Sequence, residues 1–322
     1  MKIFVHVGYP KSASTTLQKW LFSLHSQINY LWLFPTSNLW KDTSQTSDCL
    51  YLKEPKLRQW YNDIILWDTI EYYQKDVPGF FDKYLHKHLD DNKINVFSHE
   101  ALIDTFSADR GVKAQRIFEH FPDAHIVIMV RNQFTILRSQ YDDRPFDPRS
   151  WVLWQAVTMG TWLDVLFSYE NEQYLPSLCF AENIAYYENL FGKDKVHVLC
   201  FDELVNDKAK FCERIATIFD IDVDEVRQLL NKRHENKTIT KRYNRVRSLL
   251  RRFGLYGHHM QKYVPEFIKK KFISFLQGGK SKKSMFPEKR EDKVSDYFRE
   301  SNKKLRDEYW IDVEKYKYPG FA

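Results

Sequence analysis

Residues 1–21 constrain this chain more than any other stretch. Lys2–Val7 reads KIFVHV, a run of β-branched and aromatic residues that predicts a buried strand. Gly8, Tyr9 and Pro10 break the pattern, and Lys11-Ser12-Ala13-Ser14-Thr15-Thr16 follows. Leu17, Trp20, Leu21 and Leu24 then recur at helical spacing. A strand, a tight loop of small hydroxyl residues with one lysine, and a helix make an anion cradle. Backbone N–H groups and the positive end of the helix dipole face one point, and the lysine adds a full charge. The hydroxyls of Ser12, Ser14, Thr15 and Thr16 can donate to the same anion. His6, inside the strand, reads as a structural residue.

The order of residues in the loop narrows its chemistry. A nucleotide-hydrolase P-loop ends in Gly-Lys-Ser/Thr, whereas here the lysine precedes the hydroxyl run and no second glycine is present. That order resembles the 5′-phosphosulfate loop of the sulfotransferases, roughly P-K-[ST]-G-T-T-x-L, on Pro10, Lys11, Ser12, Thr15 and Leu17. Ser14 replaces the first threonine of the pattern. Ala13 stands where the family has glycine, so the loop is expected to manage without a positive φ there.

A second motif agrees with the first. His125–Tyr141 reads HIVIMVRNQFTILRSQY, an apolar central strand running into Arg131 with Ser139 eight residues later. This resembles the family's 3′-phosphate motif, a strand followed by R-[ND]-P-x-x-x-x-x-S, with Gln133 in place of the proline. The resemblance gives Arg131 and Ser139 the 3′-phosphate, and a guanidinium suits a near-dianionic phosphate because it grips two oxygens at once. Tyr186–Phe219, with Asp202-Glu203-Leu204, and the tail from Ser301 to Gly320 are also similar to family segments. The whole resembles a sulfotransferase of bacterial or carbohydrate-directed type that uses 3′-phosphoadenosine 5′-phosphosulfate (PAPS) as donor, releases 3′,5′-adenosine bisphosphate (PAP) and needs no metal.

The rest of the chain fits an α/β protein with a doubly wound parallel sheet of four to five strands. Strands are predicted at Lys2–Val7, Ile94–Ser98, His125–Val130 and Val196–Phe201. Helices are predicted at Leu57–Tyr73, Phe80–Leu89, Val112–Phe121, Asn132–Tyr141, Trp151–Tyr169, Ala181–Phe191, Lys208–Phe219 and Val223–Asn231. Ligands of such sheets bind beyond the carboxyl ends of the strands, where Lys11, Glu100 and Arg131 fall. At 322 residues the chain is expected to form a single domain (residues 1–322), with a helical insertion over 27–91 and a basic helical segment over 232–293. That segment carries 19 Lys or Arg against 5 Asp or Glu, which leaves the remainder at −8 when the whole chain is +6.

Sulfuryl transfer also needs a base for the acceptor. His99 and Glu100 both follow the second predicted strand, and neighbours on a strand point to opposite sides. The family uses histidine in some members and glutamate in others; Glu100 matches the S-x-E step of bacterial members and is favoured. The acceptor is expected to be a glycan or small hydroxylated molecule. Residues 239–252 and 262–283 mix cations with apolar residues, which suits a gate over the phosphates, a groove for an anionic glycan or contact with an acidic membrane. Specific nucleic-acid binding is not expected. The cysteines, Cys49, Cys179, Cys200 and Cys212, lack metal-ligand spacing and read as reduced thiols. With no signal peptide and no apolar run of about 20 residues, the expectation is a cytoplasmic protein, free or peripheral to a membrane. Two rivals stand beside this reading: a P-loop kinase or nucleotide hydrolase, and a polyanion- or nucleic-acid-binding protein acting through the basic segment.

Overall fold

The computed structural model describes residues 1–31, 55–66, 68–103, 109–143, 157–168, 174–231 and 285–321. The chain divides into two compact units. Met1–Arg131, Phe180–Glu235 and Lys304–Ile311 form the first; Asn132–Cys179, Asn236–Lys303 and Asp312–Ala322 form the second.

The first unit holds a five-stranded, wholly parallel sheet. Its strands are β1 (Lys2–Gly8), β2 (Ile28–Tyr30), β3 (Ile94–His99), β4 (His125–Val130) and β5 (Val196–Cys200), in the order β2-β3-β1-β4-β5. Ser14–Thr16 opens helix α1, which continues as a π-helical stretch over Leu17–Phe22. Also in this unit are α2 (Pro55–Leu66), α3 (Thr69–Gln74), α4 (Val77–Tyr84) and α5 (Arg110–His120), with α9 (Phe180–Phe191), α10 (Phe201–Asn206), α11 (Lys208–Phe219) and α12 (Val223–Asn231). In the second unit, α6 (Gln133–Asp143), α7 (Met159–Leu166) and α8 (Tyr174–Ser177) precede Glu291–Tyr309, α13, whose last turns belong to the first unit.

Three differences from the sequence pattern have local causes. Ile28–Tyr30, inside the stretch read as an insertion, is the edge strand β2; three residues are too few for an alternating pattern to register. The helix expected over Leu57–Tyr73 is two helices, because the Asp68 side chain accepts from the Glu71 N–H and caps a new start. Asp76 does the same with Gly79, so α4 begins at Val77, ahead of the expected Phe80. Residues 239–252 and 262–283 lie outside the described residues, as does the start of the Trp151–Tyr169 helix. Among the described cysteines, Cys179, Cys200 and Cys212 are free thiols.

Both faces of the sheet are covered. On one, Phe4, Val127, Met129 and Leu199 pack against Leu17, Leu21 and Phe22 of α1 and against Phe211, Ile215, Phe219, Val226 and Leu230 of α11 and α12. Phe4 and Phe219 stack with centroids 4.4 Å apart. On the other, Phe97 meets Phe121 at 4.7 Å and Trp60 at 5.7 Å. Glu203 is buried on α10 but paired with Lys210 (3.1 Å) and Arg214 (3.5 Å) of α11, so this acidic step is a structural tie. No helix among the described residues is long and apolar enough to cross a membrane.

Phe219 joins α11 to the central strand, so Phe219→Ala should cost about 3–5 kcal/mol. Urea unfolding checks this, and a loss below about 1 kcal/mol would contradict the packing described.

Candidate active site

The strand order defines where a ligand can sit. From β1 the chain leaves toward β2 and β3, and from β4 it leaves in the opposite direction toward β5. The crevice between the carboxyl ends of β1 and β4 is therefore the topological switch point. Gly8 and Met129 pair there, and the loop after Gly8 lies beside Arg131 at the end of β4.

The loop is built by close contacts. A Cβ at Gly8 would stand 2.2 Å from Ser14 Oγ and 2.8 Å from His6 Cε1, so any larger residue would force one of these side chains to shift. Tyr9 is buried edge-on against Phe180, with centroids 4.8 Å apart, and its carbonyl accepts from the Ser12 N–H at 3.1 Å. Lys11 and Ala13 then take left-handed conformations, φ 68° and 63°. This corrects the expectation that alanine would keep position 13 out of positive φ. The loop adopts the glycine-like geometry regardless, at about 1–2 kcal/mol per non-glycine residue.

Ala13 occupies the N-cap of α1 and offers no capping side chain. The N–H groups of the first turn, which a helix cannot use internally, are thus left to an anion or to water. Ser12 and Ser14 are buried, Thr16 is half-buried and Thr15 exposed. Ser14 Oγ donates only a long 3.5 Å bond to the Tyr9 carbonyl, and the buried Ser12 Oγ makes no hydrogen bond among the described residues. A buried hydroxyl left so costs roughly 1–3 kcal/mol, which fits a site whose missing acceptor is an anionic ligand.

Arg131 and the loop are brought together. A guanidinium NH group of Arg131 donates to the Lys11 carbonyl, and the guanidinium lies 4.3 Å from the centre of the Phe201 ring. Ser139 is half-buried on α6 of the second unit. Asn132 and Gln133 have work that the sequence pattern did not signal. Asn132 Nδ2 donates to the carbonyls of Tyr316 (2.7 Å) and Lys317 (2.6 Å), and Gln133 Nε2 donates to Asn302 Oδ1 (2.7 Å). Asn302 Nδ2 in turn donates to the Pro319 carbonyl at 2.9 Å. The glutamine at the family's proline position thus fastens the C-terminal tail through its side-chain amide. Its departure from proline marked the position but not the partner, which lies 169 positions away.

At the end of β3, His99 pairs with Val7 of β1 and Glu100 opens a 3₁₀ turn, Glu100–Leu102. The Ala101 N–H donates to His99 Nδ1 at 2.8 Å, and Lys113 Nζ donates to the Ala101 carbonyl at 2.8 Å. Burial, aided by the Lys113 charge, pulls the His99 pKa down to about 3. Its Nδ1 lone pair is committed to Ala101, so the neutral ring carries its proton on Nε2 and has no lone pair free to accept one. Glu100 is half-buried at the first residue of the same turn. No group of three or more potential metal ligands gathers among the described residues.

The model of the sulfotransferase family matches residues 3–225, and the chain belongs to that family. A sulfotransferase from Alicyclobacillus acidocaldarius shares the fold with a TM-score of 0.52 at 14% identity, over 98% of this chain and 99% of that one. Two further structures align less closely. Mouse sulfotransferase SULT7A1 complexed with PAP gives 0.39 at 16% identity (85% and 82% covered), and retinol dehydratase in a complex with retinol and PAP gives 0.32 at 14% (89% and 83%). No curated protein matches the chain in sequence.

Two predictions follow from this geometry. Ala13→Gly should relieve the left-handed strain and raise stability by up to about 1 kcal/mol net of glycine's greater unfolded-state entropy, read as a higher urea midpoint; Ala13→Val should lower it. Burial also lowers the pKa of His6 and His120 to about 4, below the ordinary 6.5. The unfolded chain therefore binds protons first as pH falls. The stability held by His6, His99 and His120 is complete above about pH 6.5 and lost below it, at about 1.4 kcal/mol per pH unit for each group. Urea midpoints at pH 7.5, 6 and 5 should decline in that order, and a flat series would contradict the burial.

Proposed function

We propose that this sulfotransferase moves the sulfonate of PAPS to a hydroxyl or amine of a carbohydrate or small-molecule acceptor, with PAP as the leaving group. The observation that carries the reading is the Lys11–Thr16 loop, left-handed at Lys11 and Ala13, without a capping side chain at Ala13, and tied through the Lys11 carbonyl to Arg131 at the switch point. Donors converging on one point suit the 5′-phosphosulfate. Lys11 supplies charge, the backbone from Ala13 onward supplies N–H groups, and Ser12, Ser14, Thr15 and Thr16 supply hydroxyls. Arg131 takes the 3′-phosphate, as its motif implies. Ser139 has the same role on the strength of the sequence motif alone.

The reaction follows from charge. The acceptor oxygen or nitrogen attacks sulfur as the bond from sulfur to the bridging oxygen breaks, and PAP departs with that electron pair. The transition state is loose and in line, so positioning and electrostatics dominate. Lys11 offsets charge on the bridging oxygen. Glu100 takes the acceptor's proton, a role supported by the His99 tautomer, which leaves that ring no lone pair to offer. A glycan acceptor rests on the likeness to carbohydrate-directed members, and contact with an anionic glycan or acidic membrane rests on the charge of residues 232–293.

Thermal unfolding with PAP, ADP and ATP–Mg²⁺ tests the donor site. PAP at 100 times its Kd should add about 2.7 kcal/mol and raise the Tm by several degrees in wild type, with the shift lost in Arg131→Ala. A shift with ATP–Mg²⁺ alone would overturn the reading in favour of a kinase. Glu100→Gln should keep the PAP shift while kcat falls 10²–10⁴-fold, the span typical of general-base removal; unchanged kcat would remove Glu100 from the mechanism.

A further inference from the structure

Beneath the phosphate loop lies a buried polar trio that none of the roles above uses. His6 and Ser98 are paired neighbours on β1 and β3, both fully buried, with His6 Nδ1 2.7 Å from Ser98 Oγ. Gln18 of α1 donates from Nε2 to the same hydroxyl at 2.9 Å and to the Ser98 carbonyl at 3.4 Å. The carbonyl can only accept, so the amide nitrogen is fixed as the group that faces Ser98. Ser98 Oγ then receives one hydrogen bond from Gln18 and has a single proton to give. The 2.7 Å contact with His6 Nδ1 can run either way, but no other acceptor is in reach of that proton among the described residues, so the pairing that uses it puts the imidazole proton on Nε2.

We propose that His6, Ser98 and Gln18 form one positioning unit that fixes the phosphate loop against the turn carrying Glu100, with His6 held as the Nε2-protonated neutral tautomer. The inference rests on the donor and base roles assigned above. Each member sits two residues from a part of the site: His6 from Gly8, Ser98 from Glu100, and Gln18 from Thr16. The His6 ring also reaches the loop directly. Its Cε1 stands 2.8 Å, and Ser14 Oγ 2.2 Å, from the point a Gly8 Cβ would occupy, so ring and hydroxyl flank the same backbone.

The surroundings argue that the trio serves geometry more than stability. Phe4, Val96, Val127 and Met129 line this face, and His6 is edge-on to Phe22 at 5.6 Å. Apolar side chains would fill the space without desolvation cost, whereas hydrogen bonds fix direction and distance. Burial keeps the ring uncharged down to about pH 4. His6 Nε2 is itself buried and makes no hydrogen bond among the described residues, so its N–H remains available to an acceptor brought into the loop.

The test uses the full-length protein with PAP and PAPS as probes and water as the acceptor: PAPS plus water gives PAP, sulfate and two protons once the 5′-phosphate of PAP is fully ionised. In Ser98→Ala, kcat for PAPS hydrolysis should fall at least 10-fold, while KM for PAPS and the calorimetric Kd for PAP stay within about 3-fold. Ser98→Thr, which keeps the hydroxyl, should restore most of kcat. Long-range ¹H–¹⁵N spectra at pH 7 should show His6 neutral and protonated at Nε2 in wild type, with the tautomer redistributed in Ser98→Ala. A His6 found protonated at Nδ1, or a Ser98→Ala variant that loses Tm with kcat unchanged, would overturn the proposal. A wild type that binds no PAP would instead sink the sulfotransferase donor site, while the spectra still decide whether the trio is wired as inferred.

Discussion

The chain from β1 to α1 turns through two left-handed residues that are not glycine, and much of the site depends on holding that turn. Lys11 and Ala13 together store a few kcal/mol of backbone strain, a large share of a typical domain's stability. Such strain persists only where neighbours over-determine the conformation. Here Ser14 packs against Gly8, Tyr9 is wedged against Phe180, and the Ser12 N–H closes a turn on Tyr9. Arg131 then draws in the Lys11 carbonyl. A peptide plane whose carbonyl is pulled toward β4 is held in orientation, and this is how a loop can present donors to an anion without reorganising at the moment of binding.

The sheet turns this local device into an active site. In a parallel sheet all carboxyl ends share one end of the sheet, so residues that follow β1, β3 and β4 converge there although Lys11 and Arg131 are 120 positions apart in sequence. The pairings Val7–His99 and Gly8–Met129 set the phosphate loop level with the Glu100 turn on one side and Arg131 on the other. The proposed donor loop and the proposed base thereby follow adjacent strands, and their spacing is a property of backbone pairing, which side-chain substitution changes little. At the opposite edge, His125 and His197 stack on one another and against Phe4, away from the ligand end.

How much of this was legible in the sequence depends on the range of the interactions. The KIFVHV strand, the Lys11–Thr16 loop and the strand running into Arg131 could be read because local periodicity and motif spacing specify them. The chemistry drawn from them agrees with the family match. The positive φ of Ala13 ran against its own residue type, because tertiary packing overrode an intrinsic preference. Strand β2 was missed because pairing with β3 defines it and its three residues carry no pattern. The work of Gln133 was hidden because its partner, Asn302, lies 169 positions away.

The same limit explains why the choice between His99 and Glu100 stayed open in the sequence. Both lie at the right strand end, and residue type alone favours neither strongly. The distinction arises from the backbone N–H of Ala101 and from Lys113, which fastens the carbonyl of the same residue. Together they commit His99 as a neutral acceptor at Nδ1 and leave it no basic nitrogen. In the wiring proposed above, Ser98 drives His6 to the equivalent tautomer. With both histidines beside the loop uncharged, the ionic residues that directly follow β1, β3 and β4 among the described residues are Lys11, Glu100 and Arg131, and Lys113 reaches the Glu100 turn from α5. Cations and one carboxylate match what the proposed chemistry needs, because the donor's phosphates and sulfonate require positive charge and the acceptor's proton requires a base. An added imidazolium would tighten the hold on PAP as well as PAPS, and uniform binding of that kind does not accelerate transfer.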